Sequence, residues 1–133
     1  MALTEPTTGR TIDEAVFPIK ITMAGDCKRG DLLGYSSGWK RALATVGTAI
    51  QAKLIAGEDA ITGEVITAYG SAKMSGYSGG TPGAAVYAAE GTSYGCVTET
   101  APATSGDCNT IIGLILTATE IMLWPNNRAP SLA

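Results

Sequence analysis

The sequence predicts an all-β protein built as a small sandwich or barrel. Turn signals made of Gly, Pro, Asn and Asp recur roughly every eight to twelve residues, which is typical of such folds. No segment shows apolar residues at a sustained helical spacing, so no helix is predicted. The chain has 133 residues, which suits one domain that buries a core without metal or disulfide staples.

The N-terminal region predicts an extended arm followed by an edge strand. Residues 1–14 are polar and lack any periodicity, so we expect an arm that is mobile unless something holds it. In AVFPIKITM, residues 15–23, apolar side chains from Phe17 onward recur at every second position, which is strand periodicity. Pro18 has no N–H to give to a ladder, so this strand is expected at a sheet edge.

The later strands are each bounded by turn residues. DLLGYS and WKRALA flank SSG, which predicts a β-hairpin. In EVITAY, Val65 and Tyr69 occupy one face and Ile66 the other, so both faces are expected to be buried. The glycine-rich SGGTPGAAVYAAEGTSYG lacks Gly-Lys-Ser/Thr and a following helix, so it is interpreted as turn–strand–turn rather than a phosphate loop. The turn EGTSYG leads into CVTET, and the two closing predicted strands are TIIGLILTA and EIMLW.

The composition argues against most enzyme classes. Histidine is absent, which removes the usual general base and the usual metal ligand. Cys27, Cys96 and Cys108 form no Cys-x-x-Cys pair, so we expect free thiols and no metal or other cofactor, with a Cys96–Cys108 pairing left open. A hydrolase built on two carboxylates alone stays as a minor alternative.

Charge and hydropathy limit the classes of partner that the chain is expected to bind. The net charge is −3 and no basic stripe is present, so no nucleic-acid partner is expected. The longest apolar stretch, residues 111–124, is interrupted by Glu120 and is too short for a bilayer, so no membrane partner is expected. The N-terminus has no basic start followed by an apolar run, which predicts synthesis in the cytoplasm.

Residues 25–124 resemble the small capsid cement, or head decoration, proteins of bacteriophages. The similarity lies in the order and spacing of turns in three segments: GDLLGYSSGWKRA, AKLIAGEDAITGEVITAYGSAKMSG and GTPGAAVYAAEGTSYGCVTETAPATSGDCNTIIGLIL. The resemblance implies a compact β-barrel or β-tulip-like domain with an extended N-terminal arm. It divides the chain into an arm (1–14), a β domain (15–125) and a C-terminal tail (126–133).

The resemblance also implies a function. Such proteins are non-enzymatic and sit on the outer surface of the virion capsid. They commonly form homotrimers at three-fold or quasi-three-fold positions, bind the major capsid protein after the shell expands, and stabilise the head. The arm residues expected to contact the capsid are Ala2, Leu3, Thr4, Glu5, Pro6, Thr7, Thr8, Arg10 and Ile12. The residues expected at the subunit interface are Leu123, Trp124, Asn126 and Arg128.

An alternative function is a tail, fibre or baseplate β module that binds host-surface glycans. Trp39 and Trp124 are the candidate stacking platforms for sugar rings in that case. The preferred interpretation of the same two residues is that they are core or interface aromatics.

Overall fold

The computed structural model describes residues 3, 10–45, 49–89, 94–103 and 111–125. In this part of the chain the protein is all-β, without helix, and its antiparallel sheet curls into a half-barrel, which confirms the predicted fold class. The strands are β1 (Thr11–Thr22), β2 (Leu32–Tyr35), β3 (Trp39–Arg41), β4 (Leu54–Ala56), β5 (Val65–Ser75), β6 (Ala85–Ala88), β7 (Val97–Thr98), β8 (Gly113–Thr117) and β9 (Glu120–Leu123).

Strand β5 joins the two halves of the sheet. One of its edges pairs with β1 along the full length, from Thr11 opposite Ser75 to Thr22 opposite Val65. Its other edge is shared, because the first half pairs with β4 and the second half with β9. The sheet continues from β4 through β2 to β3, and from β9 through β8 and β6 to β7.

Two apolar cores follow from this division. Even-numbered residues of β5 share one face, and that face is buried at both ends of the strand. Ile66 and Ala68 pack in the smaller core, whose buried members are Ile21, Met23, Cys27, Leu33, Ala56, Ala60, Ile66 and Ala68. Ala72 and Met74 pack in the larger core, which also takes residues from β2, β4, β6, β7, β8 and β9.

The smaller half is closed by a contact beyond the end of β1. Met23 forms an isolated parallel bridge with Trp39, and the Ala24 N–H donates to the Trp39 carbonyl at 2.8 Å. The residues just after β1 and the start of β3 therefore meet beside the smaller core, which contains Met23 and Leu33. Farther towards the N-terminus of β1, no such contact is recorded within the described residues.

Several local predictions are confirmed. The strand that contains Pro18 lies at an edge, because β1 pairs with β5 alone among the described strands. β2 and β3 form the predicted hairpin, with Tyr35 opposite Trp39. AAVYAA contains β6, which follows a turn at residues 82–83 as expected, while most of the expected following turn, EGTSYG, lies outside the described residues.

Two local predictions are wrong. Val65 is 61% exposed, so the outer face of β5 is not buried at its first residue. The expected boundary between arm and domain after residue 14 falls inside β1, which already begins at Thr11. The β1–β5 ladder supplies backbone hydrogen bonds to polar residues whose side chains give no strand pattern.

We predict that Gly113→Ala destabilises the fold by ~2 kcal/mol, because a Cβ at this position would overlap the carbonyl oxygen of Met122 on the paired strand. Gly25→Ala is the matched control, since its Cβ would meet nothing closer than 3.7 Å. Urea unfolding of both variants checks the prediction, and equal midpoints for the two would contradict it.

Candidate interaction surfaces

An apolar patch covers the outer face of the β8–β9 hairpin. Alternation along β9 sends Ile121 and Leu123 into the core and leaves Met122 and Trp124 outside. On β8, Leu114 lies directly opposite Met122 of β9, and the two side chains form an exposed cross-strand pair. We define the apolar patch as Ile111, Leu114, Met122 and Trp124.

The patch surrounds a shallow groove of about 290 Å³. Its remaining lining residues are small: Gly83, Ala85 and Gly113. The Trp124 N–H donates to the carbonyl of Ile112 at 2.7 Å, which fixes the backbone that presents the indole, and the residue is 47% exposed. The groove is therefore apolar along its whole lining.

The patch contains one of the residues expected at a subunit interface. Trp124 lies in it, exposed as an interface residue would be. Leu123 does not, because its side chain is fully buried in the larger core, so the expectation for Leu123 was wrong. Asn126 and Arg128 lie outside the described residues.

The second exposed apolar surface is the middle of β1. Val16, Phe17 and Ile19 are all exposed, although they lie in a strand. Phe17 is 66% exposed and has a φ of 58°, a left-handed conformation that bulky side chains rarely adopt. Its side chain lies against Gly70 on β5, where a Cβ would come within 3.0 Å of the Phe17 Cβ.

The described arm residues bind their own domain rather than standing free. Leu3 is buried in the larger core, and its N–H donates to Glu99 Oε1 at 2.9 Å. Ile12 packs against the same core. Arg10 forms an ion pair with the buried Asp31. The expectation that Leu3, Arg10 and Ile12 contact a capsid stays a prediction, and the other expected contacts, Ala2, Thr4, Glu5, Pro6, Thr7 and Thr8, lie outside the described residues.

Asp31 organises the turn before β2 and attaches the arm to it. Its carboxylate accepts hydrogen bonds from Arg10 Nη2 and from the Lys28 N–H, the latter at 2.8 Å. Gly95 packs so closely that a Cβ there would lie 2.7 Å from Asp31 Cγ. Sequence analysis missed this role because the spacing of 21 residues between Arg10 and Asp31 carries no motif.

A charged groove of about 390 Å³ lies beside Cys27. Its carboxylates accept hydrogen bonds from backbone N–H groups: Asp59 from Arg29 at 2.7 Å, and Glu64 from Ile61 at 2.8 Å. Carboxylates used in this way stabilise turns.

The Cys27 thiol is a poor nucleophile. Burial raises its pKa from 9.0 to about 11, and the negative charges of Asp31 and Asp59 add to the effect. The hydrogen bond with Ala60 and the positive charge of Arg41 oppose it. The reactive thiolate is therefore scarce at neutral pH.

Trp39 is held by its own domain. Its ring meets the Tyr35 ring edge-on, with centroids 5.4 Å apart, and it packs against the smaller core. This partly buried position fits a structural aromatic residue better than a sugar platform.

Neither a metal site nor a membrane-spanning helix is found among the described residues. No group of three or more His, Cys, Asp or Glu side chains is placed to hold a metal ion. None of the described segments forms a helix with the length and hydropathy of a membrane span. Comparison of the chain with protein-family models, curated proteins and solved structures gives no match.

We predict that Asp31→Ala costs ~3 kcal/mol of stability, because it leaves the largely buried Arg10 guanidinium without its partner charge. Glu120→Gln is the control. It removes the exposed Lys73–Glu120 pair, with 3.5 Å between its charged atoms, and should cost less than ~1 kcal/mol. Urea unfolding measures both, and similar losses would contradict the structural role of Asp31.

We predict that the protein loses stability as pH rises from about 9 to about 11, in part through Cys27. The folded state holds the thiol proton more tightly than the unfolded state, so the Cys27 contribution is complete below pH 9 and is lost through the folded pKa. Unfolding free energies of the wild type and Cys27→Ala, compared at about pH 8 and pH 11, isolate this contribution. An identical pH dependence in the two proteins would contradict it.

Proposed function

We propose that this chain is a structural protein of a phage virion, a decoration (cement) protein that binds the outer surface of the expanded head and stabilises it without catalysis. The proposal begins with the resemblance of residues 25–124 to that family. It places the major capsid protein as the partner, with the chain acting as a homotrimer at three-fold or quasi-three-fold positions.

The observation that carries the proposal is the apolar patch. Protein–protein interfaces often contain a tryptophan surrounded by aliphatic side chains, because burying such a group removes a large apolar area from water. A charged pair, Lys73–Glu120, stands next to Met122 in the sheet and provides a polar border. An apolar centre with a polar border is the usual anatomy of a protein interface.

The same patch is a weak candidate for sugar binding. A glycan site needs placed hydrogen-bonding groups beside its stacking ring. The side chains that line the groove beside Trp124 are apolar throughout. The glycan-binding alternative is therefore kept as an outcome of the experiment and not as a second proposal.

The arm has a double role in this proposal. Leu3 and Arg10 attach it to the β domain. The segment between them remains the part of the arm proposed to contact the capsid protein. Deleting residues 1–14 would therefore remove folding contacts as well as capsid contacts, so point changes are the better test.

We predict that Trp124→Ser lowers affinity for expanded, undecorated capsids at least ~10-fold, because it removes the largest side chain of the patch. Co-sedimentation over a range of protein concentrations measures the affinity. Cryo-electron microscopy of the pellet should place wild-type density at three-fold positions. Ile61→Ser is the matched control, since Ile61 is 63% exposed but lies outside the patch.

Three outcomes separate the hypotheses. Loss of binding in Trp124→Ser but not in Ile61→Ser supports the proposal. No co-sedimentation of the wild type at micromolar concentration overturns the capsid role. Saturable binding on a glycan array that is lost in Trp124→Ser or Trp39→Ala would replace it with the glycan-binding module.

A further inference from the structure

A small groove of about 190 Å³ lies at the end of β3, beside Arg41. Its described lining residues are two basic, one acidic, two large uncharged and one glycine: Lys40, Arg41, Asp26, Ile50, Tyr94 and Gly25. None of them belongs to the apolar patch. We propose that this groove binds a carboxylate group of a partner protein, the side chain of an aspartate or glutamate, with Arg41 as its main hydrogen-bond donor.

Arg41 is a partly buried cation without an anionic partner. It lies opposite Leu33 in the β2–β3 ladder, so its side chain leaves the strand on the same face as Leu33, which is buried in the smaller core. The guanidinium carries N–H donors only. Within the described residues it forms no ion pair and no hydrogen bond. A cation withdrawn from water in this way is stabilised by an anion that reaches it.

Tyr94 positions the guanidinium without satisfying it. The guanidinium carbon of Arg41 lies over the Tyr94 ring, 5.5 Å from the ring centroid, which is a cation–π contact. Such a contact offers no hydrogen-bond acceptor, so the N–H donors still lack a partner. Two parallel N–H groups of an arginine match the two oxygens of a carboxylate.

A backbone hydrogen bond attaches Tyr94 to the end of β3. The Gly95 N–H donates to the carbonyl of Ala42 at 2.8 Å, and these residues directly follow Tyr94 and Arg41 in the chain. The ring and the guanidinium are therefore brought together by the backbone that carries them. A ligand pays little to order a site that is already assembled.

The opposite wall of the groove is held in the same way. The Ala24 N–H donates to the carbonyl of Trp39 at 2.8 Å, which places Gly25 beside Lys40. A Cβ at Gly25 would lie 3.7 Å from Lys40 Cγ, so the stem of the lysine packs along this wall. Lys40 is partly buried, and it provides a second positive charge.

The charges of the groove favour a ligand with one negative charge. Two cations, Lys40 and Arg41, and one anion, Asp26, give a net formal charge of +1. Asp26 accepts a hydrogen bond from the Thr62 N–H at 3.3 Å and forms no ion pair within the described residues. Asp26 would repel a doubly charged phosphate more than a carboxylate, because the repulsion grows with the charge.

The uncharged wall suits the stem of an acidic side chain. Ile50 is held by a pair of backbone hydrogen bonds with Leu43, at 2.8 and 3.1 Å. Its side chain and the Tyr94 ring provide apolar surface beside the basic groups. The methylene groups of a glutamate would bury apolar area there while its carboxylate meets Arg41. An inorganic anion has no such stem.

Arg41 also lines the larger, charged groove beside Cys27. That groove carries three carboxylates against two cations, which gives a net formal charge of −1 among its described lining residues. It therefore repels a carboxylate, and the ligand is assigned to the smaller groove alone.

Titration of the full chain with a glutamate derivative tests the site. N-acetylglutamate α-amide carries the side-chain carboxylate as its only charge, and N-acetylglutamine α-amide is its uncharged match. We expect the first to shift the NMR signals of Gly25, Arg41 and Tyr94 and to bind at least ~10-fold more tightly than the second, because it alone makes charge-assisted hydrogen bonds.

Variants assign the binding to Arg41. Arg41→Gln should raise the dissociation constant of the glutamate derivative at least ~10-fold. Lys53→Gln is the matched control, because it removes an exposed cation that lines neither groove, and it should leave the affinity unchanged. Thermal midpoints report whether the variants are folded. If Arg41→Gln does not fold, Lys40→Gln replaces it and should weaken binding at least ~3-fold.

Every other result counts against the proposal. No residue-specific shift at ~50 mM ligand, equal affinity for the two derivatives, or unchanged affinity in Arg41→Gln overturns the site. Tighter binding of inorganic phosphate would make it a phosphate site and overturn the carboxylate assignment. None of these measurements uses capsids, so their outcome is independent of the decoration function.

The chain's own acidic side chains are tested in the same titration. Glu90 is the carboxylate closest to Tyr94 in the sequence and lies outside the described residues. We expect Glu90→Gln to leave the affinity for the glutamate derivative unchanged. A gain in affinity would mean that Glu90 competes for the groove, and the assignment to a partner protein would then be wrong.

Discussion

The ladder along both edges of β5 is the constraint on which the rest of the structure depends. β1 occupies one edge over its full length, while β4 and β9 divide the other. The curl of the sheet lets a single face of β5 enter both cores, with Ile66 in the smaller and Met74 in the larger. Loss of register on β5 would therefore expose both cores at once, because a shift of one residue exchanges its faces.

The exposed surfaces are consequences of the same arrangement. Because β1 is the last strand on its side of β5, its outer edge has no described partner over residues 14–20. The β8–β9 hairpin is covered by the core on one face only, so alternation leaves Met122 and Leu114 on the other. Both surfaces are exposed within the described domain. The two surfaces differ in chemistry. The face of the β8–β9 hairpin offers apolar side chains, whereas the outer edge of β1 offers mainly backbone groups.

Prediction from sequence succeeded where a local rule had no competitor. Proline in an alternating apolar segment identified the edge strand, and SSG between two short β segments identified the β2–β3 hairpin. Prediction failed where an element forms only by pairing with residues that are distant in the sequence. β4 received no strand assignment because three residues carry no periodicity, and its pairing with β2 and β5 creates it. Trp124 was identified as a surface candidate, whereas the neighbouring Leu123 was misplaced by one step of the strand alternation.

By itself, the sequence determined that this is an all-β domain with an edge strand at its start, few charges and no histidine. Those conclusions depend on composition and short-range periodicity, which are properties of the chain alone. The tertiary structure decided that Leu3 and Arg10 belong to the domain, that Asp31 is buried, and that Phe17 is exposed. These depend on which residues meet across long separations, and such meetings are set by strand register and sheet curl rather than by any local pattern.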